Sequence, residues 1–430
     1  MDERGIAFEI LNQIQQKKAY SHLALKKELE EGQKDQAFVR RLVYGVLEKR
    51  LYLDYVLDHY TKKPVEELGP SLGNLLRMGA YQILFMDGVP GYAAVNESVK
   101  LCRKKAKGRE GFVNAVLRNL LRGGADIKLP SKEKRFLDWL SITESYPKWM
   151  VGYWAKAYGN QAAMDLARAG NQVPPLTIRV NLLKTEPEAL AALLREEGFR
   201  TAPGQNSPQA LYVEGKEAGE SSILSTRAYR RGLFQIQDES SMLAVECLDP
   251  RPGETVLDLC AAPGGKTVYI GERMKNQGQI LAFDLYAHKL DLLRQRARAH
   301  GISCIAAGTA DATVLNPSLY EKADKVLCDV PCSGLGVIRR KPEIKYEKNY
   351  EDILALARVQ RQILEQAADY VKPGGALLYS TCTVSPLENE EICEAFEKEH
   401  PDFEPVVRRL LTPCKEGTDG FFLCKFKKNA

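Results

Sequence analysis

Apolar residues in the first quarter of the chain recur at the spacing of amphipathic helices. One set lies within residues 38–47 and another within residues 75–85. Positions three and four residues apart share one face of a helix, so each set predicts a helix with a buried stripe. Glycine and proline interrupt the pattern between the sets, as at Gly69 and Pro70. The pattern predicts a bundle of helices over residues 1–125.

A smaller region of mixed pattern follows residues 126–174, which are predicted to form a linker and connecting helices. A strand is predicted at residues 176–180 and a helix at residues 185–197. Thr185 and Glu188 have the spacing of a capping box at the start of that helix. With two more short apolar runs, residues 175–237 are expected to form a small α+β unit.

From residue 238 to residue 430, short apolar runs alternate with helical stretches. This alternation predicts a parallel sheet with helices on both faces. A final apolar run at residues 420–426 is expected to form an antiparallel edge strand. The parallel strands are expected at residues 255–259, 279–283, 304–307, 325–330 and 376–379.

The first of these strands leads into a turn of small residues, Asp-Leu-Cys-Ala-Ala-Pro-Gly-Gly-Lys-Thr, at residues 258–267. A Walker loop requires glycine where Cys260 stands, and the G-x-G-x-x-G fingerprint is also absent, so neither ATP nor a dinucleotide is expected. What remains is a strand, a sharp turn and a helix N-terminus, where backbone N–H groups face a ligand.

Acidic residues follow the next strands along the chain. Asp284 comes after the second strand and Asp311 after the third. Ligands bind outside the carboxyl ends of parallel strands, so Asp284 is placed for ribose hydroxyls and Asp311 for an adenine amino group. Each acid alone could equally be a loop or capping residue. Together with the turn, they predict an adenosine ligand without a phosphate tail, which is S-adenosyl-L-methionine.

Two cysteines end two other apolar runs, Cys332 after residues 325–331 and Cys382 after residues 376–381. Both are therefore expected at the rim of the same site. A lone cysteine is more often a small buried apolar residue than a reactive one. Cys328 and Cys332 are four residues apart, but no second pair follows, so no metal site is expected.

Charge adds a candidate nucleic-acid surface. The 430 residues carry 61 basic and 56 acidic side chains, and residues 100–122 hold eight basic residues with one acid, Glu110. Such a cluster suits a phosphate backbone, although a solvated helix end has the same composition. The N-terminus lacks the apolar core of a signal peptide and there is no membrane-length apolar run, so a cytoplasmic protein is expected.

Five motifs resemble those of the RNA (cytosine-5) methyltransferases, the NOL1/NOP2/Sun group. They are the turn at residues 258–267, Asp-Val-Pro-Cys-Ser-Gly at 329–334, Ser-Thr-Cys-Thr at 380–383, Gln-Asp-Glu-Ser-Ser at 237–241 and Gly-Val-Ile-Arg-Arg-Lys-Pro at 336–342. The resemblance covers roughly residues 175–430. It implies a Rossmann-like class I methyltransferase sheet preceded by a small RRM-like unit.

Residues 1–125 resemble a NusB-type RNA-binding domain, including Phe-Val-Asn-Ala-Val-Leu-Arg-Asn at residues 112–119. This pairing of domains is similar to that of a bacterial family member that acts on 16S rRNA. The resemblance implies RNA, with 16S rRNA foremost, as the partner. We expect a monomer that requires neither a membrane nor a metal.

Carried onto this sequence, the resemblance assigns Cys382 as the nucleophile and Cys332 as the residue that assists product release. Asp329 is both a catalytic and a cofactor-site residue. DNA cytosine-5 methyltransferases instead use the cysteine of the Pro-Cys motif, here Cys332, so the opposite order stays open. The cofactor-binding residues implied are Cys260, Ala261, Ala262, Pro263, Gly264, Gly265, Lys266, Asp284, Asp311 and Asp329.

The implied chemistry explains why these residue types are needed. A thiolate that adds to carbon 6 of cytosine pushes electron density onto carbon 5, which then accepts the methyl group. We expect a cysteine near a positive sulfonium to have a lowered pKa. Asp329 is expected to hold a proton at ring nitrogen 3.

A cytosine inside an RNA helix is inaccessible, so the target must be unpaired or flipped out. Two other hypotheses stay open: the same chemistry on tRNA, and a non-catalytic RNA-binding factor for ribosome assembly. The intact set of Cys332, Cys382 and Asp329 argues against the latter. The candidate RNA-binding residues are Arg103, Lys104, Lys105, Lys107, Arg339, Arg340 and Lys341.

Overall fold

The computed structural model describes residues 2–17, 19–29, 35–124, 127–216 and 222–430. The chain forms two compact units, one of Met1–Gln172 with Ile338–Asn349, the other of Val173–Val337 with Tyr350–Ala430. The predicted domain boundary between residues 125 and 126 lies outside the described residues. The segment Ile338–Asn349 joins the first unit, although the sequence pattern places it within the C-terminal domain.

Helices make up the first unit and alternate with strands in the second. Among the described residues, no helix combines the length and the apolar character needed to cross a membrane. The helices are α1 (Glu3–Lys17), α2 (Ser21–Leu29), α3 (Gln36–Glu48), α4 (Arg50–Asp58), α5 (Pro70–Phe85), α6 (Gly91–Lys105), α7 (Glu110–Gly123), α8 (Phe136–Thr143), α9 (Lys148–Tyr158), α10 (Asn160–Ala169), α11 (Pro187–Glu196), α12 (Arg227–Arg230), α13 (Glu239–Leu248), α14 (Gly265–Arg273), α15 (Ala287–His300), α16 (Ile344–Glu347), α17 (Tyr350–Tyr370) and α18 (Glu390–Glu399).

The second unit contains two sheets. Its strands are β1 (Leu176–Val180), β2 (Phe199–Pro203), β3 (Ala210–Lys216), β4 (Phe234–Ile236), β5 (Thr255–Asp258), β6 (Gln279–Asp284), β7 (Ile305–Thr309), β8 (Ala323–Asp329), β9 (Val371–Thr381), β10 (Phe403–Leu411) and β11 (Phe421–Lys428). The smaller sheet has the order β2-β3-β1-β4, and the larger has the order β10-β11-β9-β8-β5-β6-β7.

The helical prediction for the first unit is confirmed, and the two apolar sets become α3 and α5. Asp35 caps α3 by accepting a hydrogen bond from the backbone N–H of Phe38 at 2.8 Å. The stripe of α3, including Leu42, Val43 and Val46, is buried against the other helices. The bundle therefore follows directly from helical periodicity.

Lys345 in α16 is buried within the first unit. Its ammonium donates to the side-chain oxygen of Asn171 at 2.7 Å and to the backbone oxygen of Glu48 at 3.2 Å. It also lies 3.8 Å from the ring centroid of Tyr146. Burial lowers the pKa of Lys345 to about 7. The segment that carries it is thus part of the interior of the helical unit.

The buried amine makes stability depend on pH. Between the lowered folded pKa of Lys345 (about 7) and the ordinary value of 10.5, the unfolded chain holds a proton that the folded chain lacks. The free energy of unfolding of the wild type, relative to Lys345→Met, should therefore rise with pH by up to about 1.4 kcal/mol per pH unit.

Urea unfolding at pH 7–9.5 checks this, followed by the fluorescence of the three tryptophans, all in the first unit. The exposed Lys62→Met variant is the matched control and should show no such trend. A difference between wild type and Lys345→Met that is constant over pH would contradict the prediction.

The small sheet contains one strand that the sequence did not predict. β2 pairs antiparallel with β3, and its residues are mostly part-exposed, so it lacks a strong apolar signal. The predicted capping box is wrong, because α11 begins at Pro187 with Glu186 at the N-cap and no side-chain cap. Proline at the first helical position sets the start instead.

The large sheet is parallel from β9 to β7, as predicted, with two antiparallel strands added. β11 is antiparallel, but its prediction as an edge strand is wrong, because it lies between β9 and β10. The antiparallel strand at the edge is instead β10, which is largely exposed and has no continuous apolar run. Exposed edge strands are hard to detect from hydrophobicity alone.

A buried ion pair joins the small sheet to the helix that follows the glycine turn. Arg179 of β1 donates to the Glu272 carboxylate of α14 at 2.9 Å, and both side chains are fully buried. Arg179 also donates to the backbone oxygen of Gly265 at 3.0 Å. Loss of one partner from such a pair typically costs ~3–5 kcal/mol. The start of α14 is therefore held by the neighbouring sheet.

Candidate active site

Five neighbouring parallel strands, from β9 to β7, bring the predicted site residues to one edge of the large sheet. In the β8–β9 pairing, Asp329 is opposite Ser380, and in the β5–β6 pairing, Asp258 is opposite Ala282. All five strands run in the same direction, so the loops after their carboxyl ends lie at the same edge.

The glycine turn is held by backbone hydrogen bonds to β6. Ala261 donates its N–H to the backbone oxygen of Phe283 at 2.8 Å, and Ala262 donates to the Asp284 carboxylate at 3.1 Å. Gly264 has φ +97°, and a side chain there would meet Leu293. Only glycine fits this position without strain. α14 then begins at Gly265, with its N–H groups at the turn.

Asp258 stabilises the glycine turn through a hydrogen bond with α14, a role that the sequence did not indicate. It is buried, and the Thr267 hydroxyl donates to it at 2.7 Å. Burial raises the pKa of Asp258 to about 7. The hydrogen bond ties the end of β5 to the first turn of α14, so it braces both sides of the turn.

Two of the three predicted cofactor-site carboxylates, Asp284 and Asp311, lie at or just after the ends of β6 and β7. Asp284 is half-buried and also accepts from the N–H of Tyr286 at 3.0 Å. Asp311 is exposed, and hydrogen bonds from the Thr313 hydroxyl and N–H lower its pKa. Tyr286 and Val314, next to these acids, are large apolar side chains left exposed. This edge thus offers charged acceptors beside apolar surface.

An ion pair lies between α14 and β8. The Lys266 ammonium is 2.7 Å from the Asp329 carboxylate, whose other oxygen accepts from the Ser380 hydroxyl at 2.9 Å. Burial opposes the charged ammonium, but the carboxylate of Asp329 outweighs this and, with a smaller contribution from Cys382, raises the pKa of Lys266. A positive charge is therefore held close to Cys382.

The two cysteines are in contact, with their sulfur atoms 3.2 Å apart. Neither sulfur takes part in a disulfide bond. Their loops are also joined by the backbone, since the N–H of Gly336 donates to the oxygen of Cys382 at 3.1 Å. The hydrogen bond with Cys382 and then burial raise the pKa of Cys332. The structure thus brings together the two residues that the motifs singled out.

This raised pKa is open to a direct chemical test. Iodoacetamide alkylation of Cys332 in the free protein, measured by mass spectrometry across pH, should show a midpoint above the value of roughly 8.5 for an unperturbed thiol. The exposed Cys414 serves as the internal reference for changes in the reactivity of the reagent and for denaturation of the protein with pH. Alkylation of Cys332 with a midpoint at or below about 8.5 would refute the assigned environment.

The candidate RNA-binding residues lie in the first unit. Arg103 and Lys104 are exposed at the end of α6, and Lys107 is exposed just after it. Lys105 is paired with the carboxylate of Glu9. This end of α6 therefore presents at least three exposed cations.

The remaining three candidates belong to the segment Ile338–Asn349. Arg339 is buried, whereas Arg340 and Lys341 are half-buried. Lys341 lies 5.7 Å from the ring centroid of Tyr20. Their burial was not visible in the sequence, where three successive basic residues favour a surface position.

Other residues of the site escaped the sequence analysis. Ser380 belongs to the Ser-Thr-Cys-Thr motif, but only the structure shows that its hydroxyl orients Asp329. Glu388 has no motif or spacing that relates it to Cys332, and it is fully buried behind that loop. Among the described residues, no group of three or more histidine, cysteine or acidic side chains is arranged to hold a metal ion.

Three family models match successive parts of the chain. The NusB family matches residues 1–122, and the ferredoxin-like domain of RsmF/B-like methyltransferases matches residues 146–218. The family described as 16S rRNA methyltransferase RsmB/F matches residues 245–427. The predicted fold class is confirmed by these matches together with the observed helical unit and two sheets.

Relatives match over nearly the whole length. The probable ribosomal RNA small subunit methyltransferase B of Bacillus subtilis is 39% identical, covering 99% of this chain and 98% of that protein. The ribosomal RNA small subunit methyltransferase B of Vibrio cholerae is 32% identical over 92% and 90% of the two chains.

Solved structures agree with this similarity. The crystal structure of PH0851 has a TM-score of 0.81 at 29% identity and covers 100% of this chain and 99% of that one. A methyltransferase homolog protein from Pyrococcus horikoshii has a TM-score of 0.61 at 30% identity, covering 69% of this chain and 99% of that one.

Proposed function

Because this chain belongs to the 16S rRNA methyltransferase RsmB/F family, we propose that it transfers a methyl group from S-adenosylmethionine to carbon 5 of a cytosine in 16S rRNA. The observation that carries the proposal is the contact between the sulfur atoms of Cys332 and Cys382, 3.2 Å apart. Two thiols in contact, beside the charged pair of Lys266 and Asp329, suit a reaction that adds one thiol to a ring and later removes it.

The edge of the large sheet fits the methyl donor. The Asp284 and Asp311 carboxylates would accept from ribose and adenine groups, and the exposed Tyr286 and Val314 would pack against the base. The glycine turn, from Cys260 to Lys266, lets the donor approach the backbone closely. When bound, the donor supplies an electrophilic methyl group.

The chain's own residues then organise the steps on the base. Cys382 attacks carbon 6 as a thiolate, favoured by the nearby Lys266 ammonium. Asp329 holds the proton at ring nitrogen 3 while electron density moves to carbon 5. After methyl transfer, Cys332 takes the proton from carbon 5 as a thiolate. The double bond between carbons 5 and 6 re-forms, and the electron pair of the carbon–sulfur bond returns to Cys382.

Replacement of each cysteine distinguishes their roles. With RNA and the methyl donor, Cys332→Ala should accumulate a covalent protein–RNA adduct, because the carbon 5 proton is not removed. Cys382→Ala should form none, because the attacking sulfur is gone. Denaturing gel electrophoresis with labelled RNA measures both, and Cys414→Ala is the control with neither effect. Adduct formation by Cys382→Ala alone would reverse the two roles.

The helical unit offers surfaces for RNA that flanks the target. Exposed Arg103, Lys104 and Lys107 suit phosphates. A groove of about 360 Å³ between α6 and α7 is lined by residues that include the exposed Tyr92 and Arg118. An exposed aromatic ring beside guanidinium groups is suited to an unpaired base. We therefore assign RNA binding to both α6 and α7.

Charge removal at the end of α6 tests this assignment. The combined replacement of Arg103, Lys104 and Lys107 with glutamine should weaken RNA binding and flatten its salt dependence. The slope of log K against log salt should fall by roughly 0.7–0.9 for each phosphate that the variant no longer neutralises.

Fluorescence anisotropy over a salt series measures this slope. The control replaces three other exposed lysines of the first unit with glutamine, which lowers the net charge equally: Lys62, Lys63 and Lys134. An equal decrease in slope for both triple variants would assign the effect to net charge and not to a binding surface.

A further inference from the structure

A fully buried carboxylate lies behind the two cysteine loops. One oxygen of Glu388 accepts from the backbone N–H of Ser333 at 2.7 Å and from the side-chain amide of Gln360 at 3.0 Å. The other accepts from the Ser333 hydroxyl at 2.5 Å. Ser333 directly follows Cys332, so the carboxylate holds the neighbour of Cys332 through hydrogen bonds from its backbone N–H and its hydroxyl.

The same carboxylate connects the Cys332 loop to the Cys382 loop. The hydroxyl of Thr383, which follows Cys382, lies 2.8 Å from the Ser333 hydroxyl and 3.5 Å from the Glu388 carboxylate. Gln360 also donates to the backbone oxygen of Pro331 at 2.9 Å. The residues on both sides of Cys332 and the residue after Cys382 are thus held around one buried group.

Among the described residues, the side-chain oxygens of Glu388 accept only from uncharged donors. A buried carboxylate without a cation is unfavourable unless several donors stabilise it, and here backbone, hydroxyl and amide groups do so. Its negative charge opposes ionisation of Cys332, whereas the Lys266 ammonium favours a negative charge at Cys382. The two sulfurs therefore stand in opposite electrostatic surroundings.

We propose that Glu388 is a positioning residue that sets the order of the two cysteines. Together with the hydrogen bond to Cys382 and burial, it keeps Cys332 protonated in the free enzyme, so that its S–H donates to Cys382, and it leaves Cys382 as the thiolate. This inference rests on the proposed function for its consequence, although the ionisation order itself belongs to the free protein. In the part of the chain that the structure describes, the titratable groups that act on the Cys332 thiol are Cys382, Glu388 and Tyr379.

The hydrogen bond between the two cysteines determines when Cys332 can ionise. It is the largest cause of the raised pKa of Cys332, and it is broken once the Cys382 sulfur is bonded to carbon 6. Cys332 can then release its proton to solvent and, as a thiolate, accept the proton from carbon 5. Glu388 thus delays ionisation of the second cysteine without preventing it.

Removal of the charge at constant shape tests the proposal in the free protein, without RNA or cofactor. In Glu388→Gln, the pH midpoint for iodoacetamide alkylation of Cys332 should fall by about one pH unit, equal to a tenfold gain in thiolate well below the midpoint. Glu388→Asp retains the charge and should keep the wild-type midpoint. The exposed Glu391→Gln is the matched charge control and should leave the midpoint unchanged.

A merely structural role gives a different result. A loosened loop would speed alkylation at every pH without moving the midpoint, and that outcome in Glu388→Gln would overturn the proposal. If the Gln variant does not fold, Ser333→Ala provides the test. This variant removes the hydroxyl that contacts Thr383 and Glu388 but keeps the carboxylate. Its Cys332 midpoint should not fall, and a fall would equally refute the role of the charge. Methyltransferase activity enters neither measurement, so failure here is separate from failure of the proposed function.

Discussion

The parallel pairing of β8 with β9 is the constraint on which the site depends. Asp329 and Ser380 are opposite each other in that pairing, and the cysteines follow three and two residues later. A shift of one residue would turn every side chain of the strand to the other face. Contact between the two sulfurs, whose residues are 50 positions apart in the sequence, is a consequence of this register.

Charges on the two sides of the sulfur pair give the site its asymmetry. Lys266 comes from the helix after β5 and is held by Asp329, while Glu388 lies in the segment that leads into α18. Similar thiols can therefore differ in ionisation because the surrounding protein supplies opposite charges to each. The Arg179–Glu272 pair adds rigidity, since it ties the start of the helix bearing Lys266 to the small sheet.

Prediction from sequence succeeded where burial leaves a strong pattern. The strands β5, β8 and β9 are mostly buried, and the amphipathic helices of the first unit show their buried stripe. It failed at β2 and β10, where most residues are exposed or part-exposed. In such strands, neither the alternation of apolar residues nor their hydrophobicity indicates a strand clearly. The capping box failed because a proline two residues later fixed the helix start.

The sequence by itself determined the organisation in three parts, the glycine turn and which two of the cysteines are candidates for the site. These features depend on local periodicity and on short motifs. Only the tertiary structure decided that Ile338–Asn349 belongs to the helical unit and that its Lys345 is buried there. It alone also placed Glu388 behind Cys332 and Lys266 beside Asp329. These relations depend on which distant segments pack together, and a charged residue in a sequence carries no sign of whether it will be buried or what it will face.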